Sequence, residues 1–402
     1  MRAAVNSMDN SIVILNGDFT VTDRVDMAEG QTLIGGGGTM PVQGESSGTI
    51  VSFIAPGTPG SLTGNLSATG GPAAIIRMED NSAVRGLTIE NTSPPPTENG
   101  VGIDASAENV VIVDNTITTA GINGFGIYRG YGVAGDSTVI GNTITTSGEN
   151  ATAINFANTG NDIASGNIIT TSGENAHGIR FLNADNGVAS GNIITTSATY
   201  AHGILFEDTD NGVASGNTIT TSGGGASGIY FENSEDGVAS GNTINTSNGG
   251  ATGVYIYASD GTTANGNTIA TSGSTANGFV IHSSTDVEAT NTTITVDGTD
   301  SSGIRFVSSD SIMASGNAIS AADATSNGIT TLSSSSLTIR DNSFGLIGGD
   351  VLFVRHNTSF VTGDSTGNEV TGTVGGQTCD AWSTGLVTGT VSFTNGTVCT
   401  FP

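Results

Sequence analysis

Two histidines and an arginine sit at matching places in related text, AHGIRF at residues 176–181 and AHGILF at residues 201–206. An imidazole can move a proton near neutral pH and a guanidinium can hold a carboxylate, so His177, Arg180 and His202 are the nearest approach to a catalytic group. Asp208 and Asp210 add two carboxylates. With one residue between them on a turn, they are a weak candidate for a general acid and base. A wider acidic set, Asp185, Asp208, Asp210, Glu232, Glu235, Asp236, Asp260, Asp286 and Asp310, falls at equivalent turns. Stacked carboxylates could hold calcium, which takes oxygen ligands in flexible numbers. No GGxGxD calcium loop occurs, and a solvated acidic edge is the plainer reading.

The elements that position these groups follow from a period of 25. Asn142, Asn167, Asn192, Asn217, Asn242 and Asn267 recur at that spacing, Thr292 interrupts, and Asn317 and Asn342 resume it. Ile144, Ile169, Ile194, Ile219, Ile244, Ile269, Ile294 and Ile319 keep the same interval, as do Ile154, Ile179, Ile204, Ile229, Val254, Phe279, Ile304 and Ile329. Self-similarity at such a period is the signature of a repeat architecture. Within a unit, apolar and polar residues alternate over a few positions between glycine and asparagine clusters, which predicts short strands. A unit has room for three strands and three turns, and each strand must stack on its equivalent about 4.8 Å away. The predicted fold is all-β, a parallel β-helix with coils of about 25 residues. The asparagines are predicted to form a structural ladder, bonding amide to amide along the stack.

These repeats resemble the right-handed parallel β-helix proteins of the pectate-lyase-like superfold over residues 85–342. GQTLIGGGGTMPVQGESSGTIVSFIAPGTPG (residues 30–60) and RMEDNSAVRGLTIENT (residues 77–92) are similar to opening coils of the β-helical passengers of bacterial autotransporter-type surface proteins. Handedness is implied by the resemblance alone. The resemblance also implies what catalysis on this fold would need: calcium-binding acids facing an arginine or lysine, or closely paired aspartates with a basic residue. The chain has no lysine and scattered arginines, so no catalytic residue is assigned.

Alternation sorts inward from outward side chains, and outward residues at equal places form columns. One column pair is Thr116 and Thr118, Thr143 and Thr145, Thr170, Thr195, Thr218 and Thr220, Thr243, Thr268, Thr293 and Thr295, interrupted by Ile168, Ile193, Asn245 and Ala270. This flat grid resembles the Thr-x-Thr face of β-solenoid antifreeze proteins, although threonine is also a good solvent-facing strand residue. The other column is uneven: Tyr128, Asn155, Arg180, Leu205, Tyr230, Tyr255, Val280, Arg305, Thr330. Tyr128, Arg180, Tyr230, Tyr255 and Arg305 are the candidate binding stripe, suited to sugar or protein by ring stacking and directed hydrogen bonds.

Composition bounds the partners. Nine arginines stand against thirty-six acidic residues, for a formal charge of −27, a field that opposes nucleic acid and anionic membrane. No apolar run reaches membrane-spanning length, and Met1 to Ser7 lacks the apolar stretch of an export signal. Cys379 and Cys399 flank a segment that reads as two strands joined at Asn395-Gly396, and a disulfide is expected there. The predicted organisation is an N-terminal cap over residues 1–30, a β-helix over 31–356 with regular repeats at about 110–345, and a C-terminal cap over 357–402. The proline run SPPPTENG (residues 93–100) is expected to leave one coil as a loop. The favoured function is a non-catalytic, secreted or surface-displayed rod, adhesin-like, that binds a glycan or a neighbouring surface protein. An ice-binding solenoid and a polysaccharide lyase or hydrolase are the alternatives. The export signal is expected to lie outside this chain.

Overall fold

In a computed structural model the chain is all-β, with three parallel sheets wound as a right-handed β-helix. The structure describes residue 9 and residues 11–43, 50–66, 73–92, 99–130, 133, 135–361, 363–382 and 386–401. The proline run at 94–96 and the first eight residues fall outside these. Two compact units, Met1–Ile194 and Thr195–Pro402, follow one winding rule. Each regular coil gives one strand to each of these sheets, and that strand pairs in parallel with its equivalent in the next coil.

In the first unit the first sheet includes Val110–Val113 and Ser137–Ile140, the second Thr116–Thr119 and Thr143–Thr146, and the third Ile127–Gly130 and Ile154–Ala157. In the second unit the same three sheets are represented by Val213–Ser215, Thr218–Thr221 and Ile229–Glu232. The register is strict: Ile219 faces Ile244, and Phe206 faces Phe231. The inward isoleucines are fully buried, and the phenylalanine rings stack at 5.0 Å for Phe156 on Phe181 and 4.9 Å for Phe206 on Phe231. Glycine precedes the third-sheet strand because the backbone passes so close to the second: a Cβ at Gly228 would collide with Ile244 Cγ2 and the Gly253 carbonyl.

The asparagines form continuous internal ladders. Asn242 Oδ1 accepts the Asn217 N–H at 3.0 Å and its Nδ2–H at 2.9 Å, and Asn242 Nδ2 donates to the Ala214 carbonyl at 2.9 Å. Asn142, Asn167 and Asn192 repeat this in the first unit. Where Thr292 stands in, its Oγ1 takes the Asn267 N–H at 3.3 Å, a longer bond, and its own N–H goes to Asn317. Each asparagine thus satisfies the backbone at a coil corner that no strand pairing reaches. Asn115 and Asn368 extend the ladder beyond the predicted members. The first unit also encloses an ion pair, Arg129 to Asp162 at 2.5 Å, both side chains wholly buried. Burial pushes the Asp162 carboxyl up, against the pull of Arg129 and hydrogen bonds from Ser137 and Thr159.

The C-terminal hairpin and the Cys379–Cys399 disulfide are as expected, and the other features of the ends differ. The predicted N-terminal cover is itself a coil: Ile12–Leu15, Asp18–Val21 and Val25–Asp26 pair in parallel with strands of all three sheets. Alternating text such as IVIL looks the same in a cover as in a coil, and the pairing partner alone distinguishes them. Within the stretch read as an opening coil at residues 30–60, Thr32–Gly35 does pair in parallel with Ile12–Leu15 and with Ala83–Arg85, whereas Thr39–Gln43 and Ile50–Ile54 leave the helix as an antiparallel hairpin. At the other end the third sheet runs past residue 356 to Cys379–Trp382, which pairs with Leu352–Arg355. Val387–Ser392 and Val398–Phe401 then form an antiparallel hairpin, and a Cys379–Cys399 disulfide, Cα atoms 6.0 Å apart, ties it to that last coil.

Candidate functional site

The outward face of the third sheet carries the varied chemistry. Strand alternation gives it parallel columns, and register fixes which residues are neighbours. In the second unit Leu205, Tyr230, Tyr255, Val280, Arg305, Thr330 and Phe353 succeed one another in the middle column. Two residues along each strand a second column runs Glu207, Glu232, Tyr257, His282, Val307, Leu332, Arg355.

Tyr230 and Tyr255 lie one coil apart with rings stacked at 4.9 Å and 8° between planes. Tyr257 meets Tyr255 edge-on at 6.4 Å and His282 at 5.2 Å, and the Tyr255 hydroxyl is 3.2 Å from His282 Nδ1. His202 closes the other side, its ring edge-on to Tyr230 at 5.1 Å. These tyrosines are half-buried, packed by one another rather than free in solvent. Burial, then the neighbouring carboxylates and phenols, pushes the Tyr230 hydroxyl up, and burial does the same for Tyr255. The platform is therefore neutral and aromatic, with Glu207 and Glu232 at one end and Arg305 at the other.

His202 is part of the frame. Its Nδ1 accepts the Ser227 N–H at 2.9 Å, and burial holds its pKa down to about 4. An imidazole fixed as an acceptor and uncharged near neutrality is a poor general base. His282 is also lowered, by burial first and then by Arg305. In the first unit Tyr128, Asn155 and Arg180 follow one another, with Tyr128 stacked on Phe125 at 5.2 Å and Asn155 buried. The predicted stripe thus holds two separate groups: Tyr128 with Arg180, and Tyr230 with Tyr255 and, two coils on, Arg305.

The acidic turns have a backbone explanation. Asp208, Asp236 and Asp286 adopt positive φ of 49°, 53° and 56°, a region that asparagine and aspartate tolerate. Others cap the next coil: Asp210 Oδ1 accepts the Glu235 N–H at 2.9 Å and Asp260 Oδ1 that of Thr285 at 2.7 Å. Asp208 instead takes the Asn233 side-chain amide at 3.3 Å, so Asp208 and Asp210 serve different bonds. Among the described residues no three His, Cys, Asp or Glu side chains converge as a metal site.

The threonine columns occupy the outward face of the second sheet. Thr143, Thr145, Thr170, Thr195, Thr218, Thr220, Thr243, Thr268 and Thr293 are exposed, as is Thr116, while Thr118 and Thr295 are half-buried. Ile168 and Ile193 stand among them half in solvent, 50% and 52% exposed.

Sequence reasoning did not include Tyr257, His282, Phe353 or Arg355 in the site. The first two share a face with Tyr255 and Val280 by simple alternation, a signal that was available.

A family described as right handed beta helix region matches residues 74–227, and one described as periplasmic copper-binding protein (NosD) matches residues 195–346. No curated protein matches the chain. Among solved structures, the A-module of the mannuronan C-5 epimerase AlgE6 of Azotobacter vinelandii is similar at TM-score 0.54 and 12% identity, over 92% of this chain and 94% of that one. PfbA, a surface adhesin of Streptococcus pneumoniae, is similar at TM-score 0.53 and 12% identity, over 89% of this chain and 86% of that one. At such identity the likeness concerns the fold.

Proposed function

We propose, from the premise that the chain is a right-handed parallel β-helix repeat protein, that it is a non-catalytic module at the cell surface or outside the cell. It binds a glycan or a neighbouring protein through the outward face of its third sheet. The observation that carries this reading is the stacked Tyr230–Tyr255 pair with Tyr257 and His282 at its edge. The half-exposed rims and hydroxyls of these rings offer a glycan or a protein partner apolar contact and directed hydrogen bonds on successive coils. The similarity to the pneumococcal surface adhesin supports the location in kind.

Catalysis is not adopted because Asp208, Asp210 and Asp260 serve turns and the buried His202 is held neutral. Incubation with acidic polysaccharides tests that choice: new reducing ends or unsaturated products would reverse it. The copper in the matched family's description does not suit this chain either. Copper favours imidazole and thiolate donors, whereas here both cysteines form the disulfide and His202 is buried against a backbone N–H. Calcium is not proposed at the acidic turns, where Asp208, Asp210, Asp260 and Asp310 already accept hydrogen bonds from neighbouring coils.

The decisive experiment replaces Tyr230 and Tyr255 by serine in the full chain and measures adhesion to cells and immobilised glycans. Binding falls about tenfold or more while the melting transition stays cooperative. Unchanged adhesion would end this assignment. Ice binding by the threonine columns remains a second reading, favoured by the exposure of both outward positions on successive coils.

A further inference from the structure

Beyond the tyrosines the same face holds a cavity of about 300 Å³, lined in part by Ser302, Arg305, Asn327, Thr330, Phe353 and Arg355. Its charge is out of character with the molecule. The chain has nine basic residues in all, and two of them border this one cavity. Asp300, exposed at the rim, is the one carboxylate in the lining.

Arg305 is the sharper clue. It is half-buried, its Nε is shielded from solvent without a hydrogen-bond partner, and its guanidinium makes no ion pair with any described residue. In a chain with thirty-six acidic side chains a carboxylate partner would be easy to supply. The neighbouring positions carry hydroxyls and an amide instead: Thr330 follows Arg305 in register, and its Oγ1 lies 2.8 Å from Ser302 Oγ. Asn327 is fixed beside them, its Oδ1 accepting the Asp350 N–H at 2.8 Å. Arg355 sits over the Phe353 ring at 4.5 Å, which holds its guanidinium plane against an aromatic face. The partly desolvated guanidinium of Arg305, left without an anion, costs stability unless a ligand supplies one.

We propose that Arg305 and Arg355 form a subsite for the carboxylate of an acidic saccharide. It deepens the reading above and rests on it. A saccharide is favoured over an acidic peptide because Ser302, Asn327 and Thr330 offer hydrogen bonds suited to ring hydroxyls. Phe353 adds a ring face in the same column as Tyr230 and Tyr255. The coil rise of about 4.8 Å is also close to one pyranose along a chain, so Tyr255 and Arg305, two coils apart, would meet the first and third of three consecutive sugars.

The test is calorimetric, on the full chain, with hexasaccharides of a polyuronate and the same hexasaccharides methyl-esterified. Charge-assisted hydrogen bonds predict that the acid form binds about tenfold more tightly or better. Arg305→Ala should bring the acid down to the level of the ester. Thr330→Glu, which leaves Arg305 in place and gives it an internal partner, should do the same. Tyr255→Ser should weaken both forms alike.

Equal binding of acid and ester by the wild-type chain overturns the carboxylate subsite, as does a preference that survives both substitutions. A glutamate hexapeptide bound as tightly as the saccharide overturns the saccharide class. If neither saccharide binds while adhesion still depends on Tyr230 and Tyr255, this subsite fails and the surface-binding reading stands. If adhesion ignores those tyrosines as well, both fail.

Discussion

The outward faces of the second and third sheets are built on the same coils and differ in kind. On the second sheet, Thr218, Thr243, Thr268 and Thr293 repeat one solution from coil to coil. On the third, Leu205, Tyr230, Tyr255, Val280 and Arg305 change at almost every step. A uniform column needs nothing more than compatibility with a solvated strand, whereas a varied column places particular chemistry at particular heights. The second pattern is what recognition of a shaped partner requires. The same contrast locates the arginine subsite, since Arg305 stands beyond Tyr255 and Val280 in the varied column and has no counterpart in the threonine column.

The largest effect is expected from a lesion beneath both faces. Asn242→Ala strips the acceptor from the Asn217 N–H and Nδ2–H and the donor from the Ala214 carbonyl. Leaving several buried polar groups unsatisfied should cost about 4 kcal/mol, read by chemical denaturation. Its use is as a reference: it should disturb the threonine face and the tyrosine face together, unlike any outward substitution. A loss below about 1 kcal/mol would mean that the ladder is not what holds the coil corners.

The ladder also shows how much was legible. Asn142 to Asn342 could be read because one residue type recurs at one interval, and a buried amide at each coil corner is a strict requirement. Asn115 and Asn368 escaped because their separations from the neighbouring members are 27 and 26 residues, so a search at a fixed period steps past them. The same drift hid Phe353 and Arg355. The coil before the last is shortened, Asn327 answering Asp350 at a separation of 23, and the uneven column appeared to stop at Thr330. The acidic turns failed for a different reason. Sequence alone cannot separate an aspartate chosen for positive φ, such as Asp208 or Asp286, from one chosen as a ligand, because both favour the same short polar side chain.

The next effect sharpens the varied face. His202 is buried as the neutral imidazole, with its pKa lowered to about 4 against an ordinary value of 6.5. The unfolded chain therefore binds a proton that the folded chain refuses between those values. The contribution to stability is complete above pH 6.5 and is lost progressively as pH falls to about 4, amounting to about 3 kcal/mol. Melting between pH 7.5 and 4.5 should show this slope. His202→Gln, whose amide oxygen can still accept the Ser227 N–H, should flatten it. An unchanged slope in that variant would move the origin of the acid sensitivity to other groups, and His202 would no longer count as the fixed edge of the tyrosine platform.

The smallest effect is the one that tests the uniform face. Thr218→Ser with Thr220→Ser removes two outward methyl groups from exposed strand positions and leaves the inward Ile219 and Thr221 in place. Exposed strand substitutions of this size change stability by no more than about 0.5 kcal/mol, and adhesion should be untouched. Thermal hysteresis in the wild-type chain, abolished by the same pair, would invert the comparison: the regular grid would be the working surface. Without hysteresis, the regularity of the second sheet reflects repetition of a coil that folds, and the specificity belongs to the face where that repetition is broken.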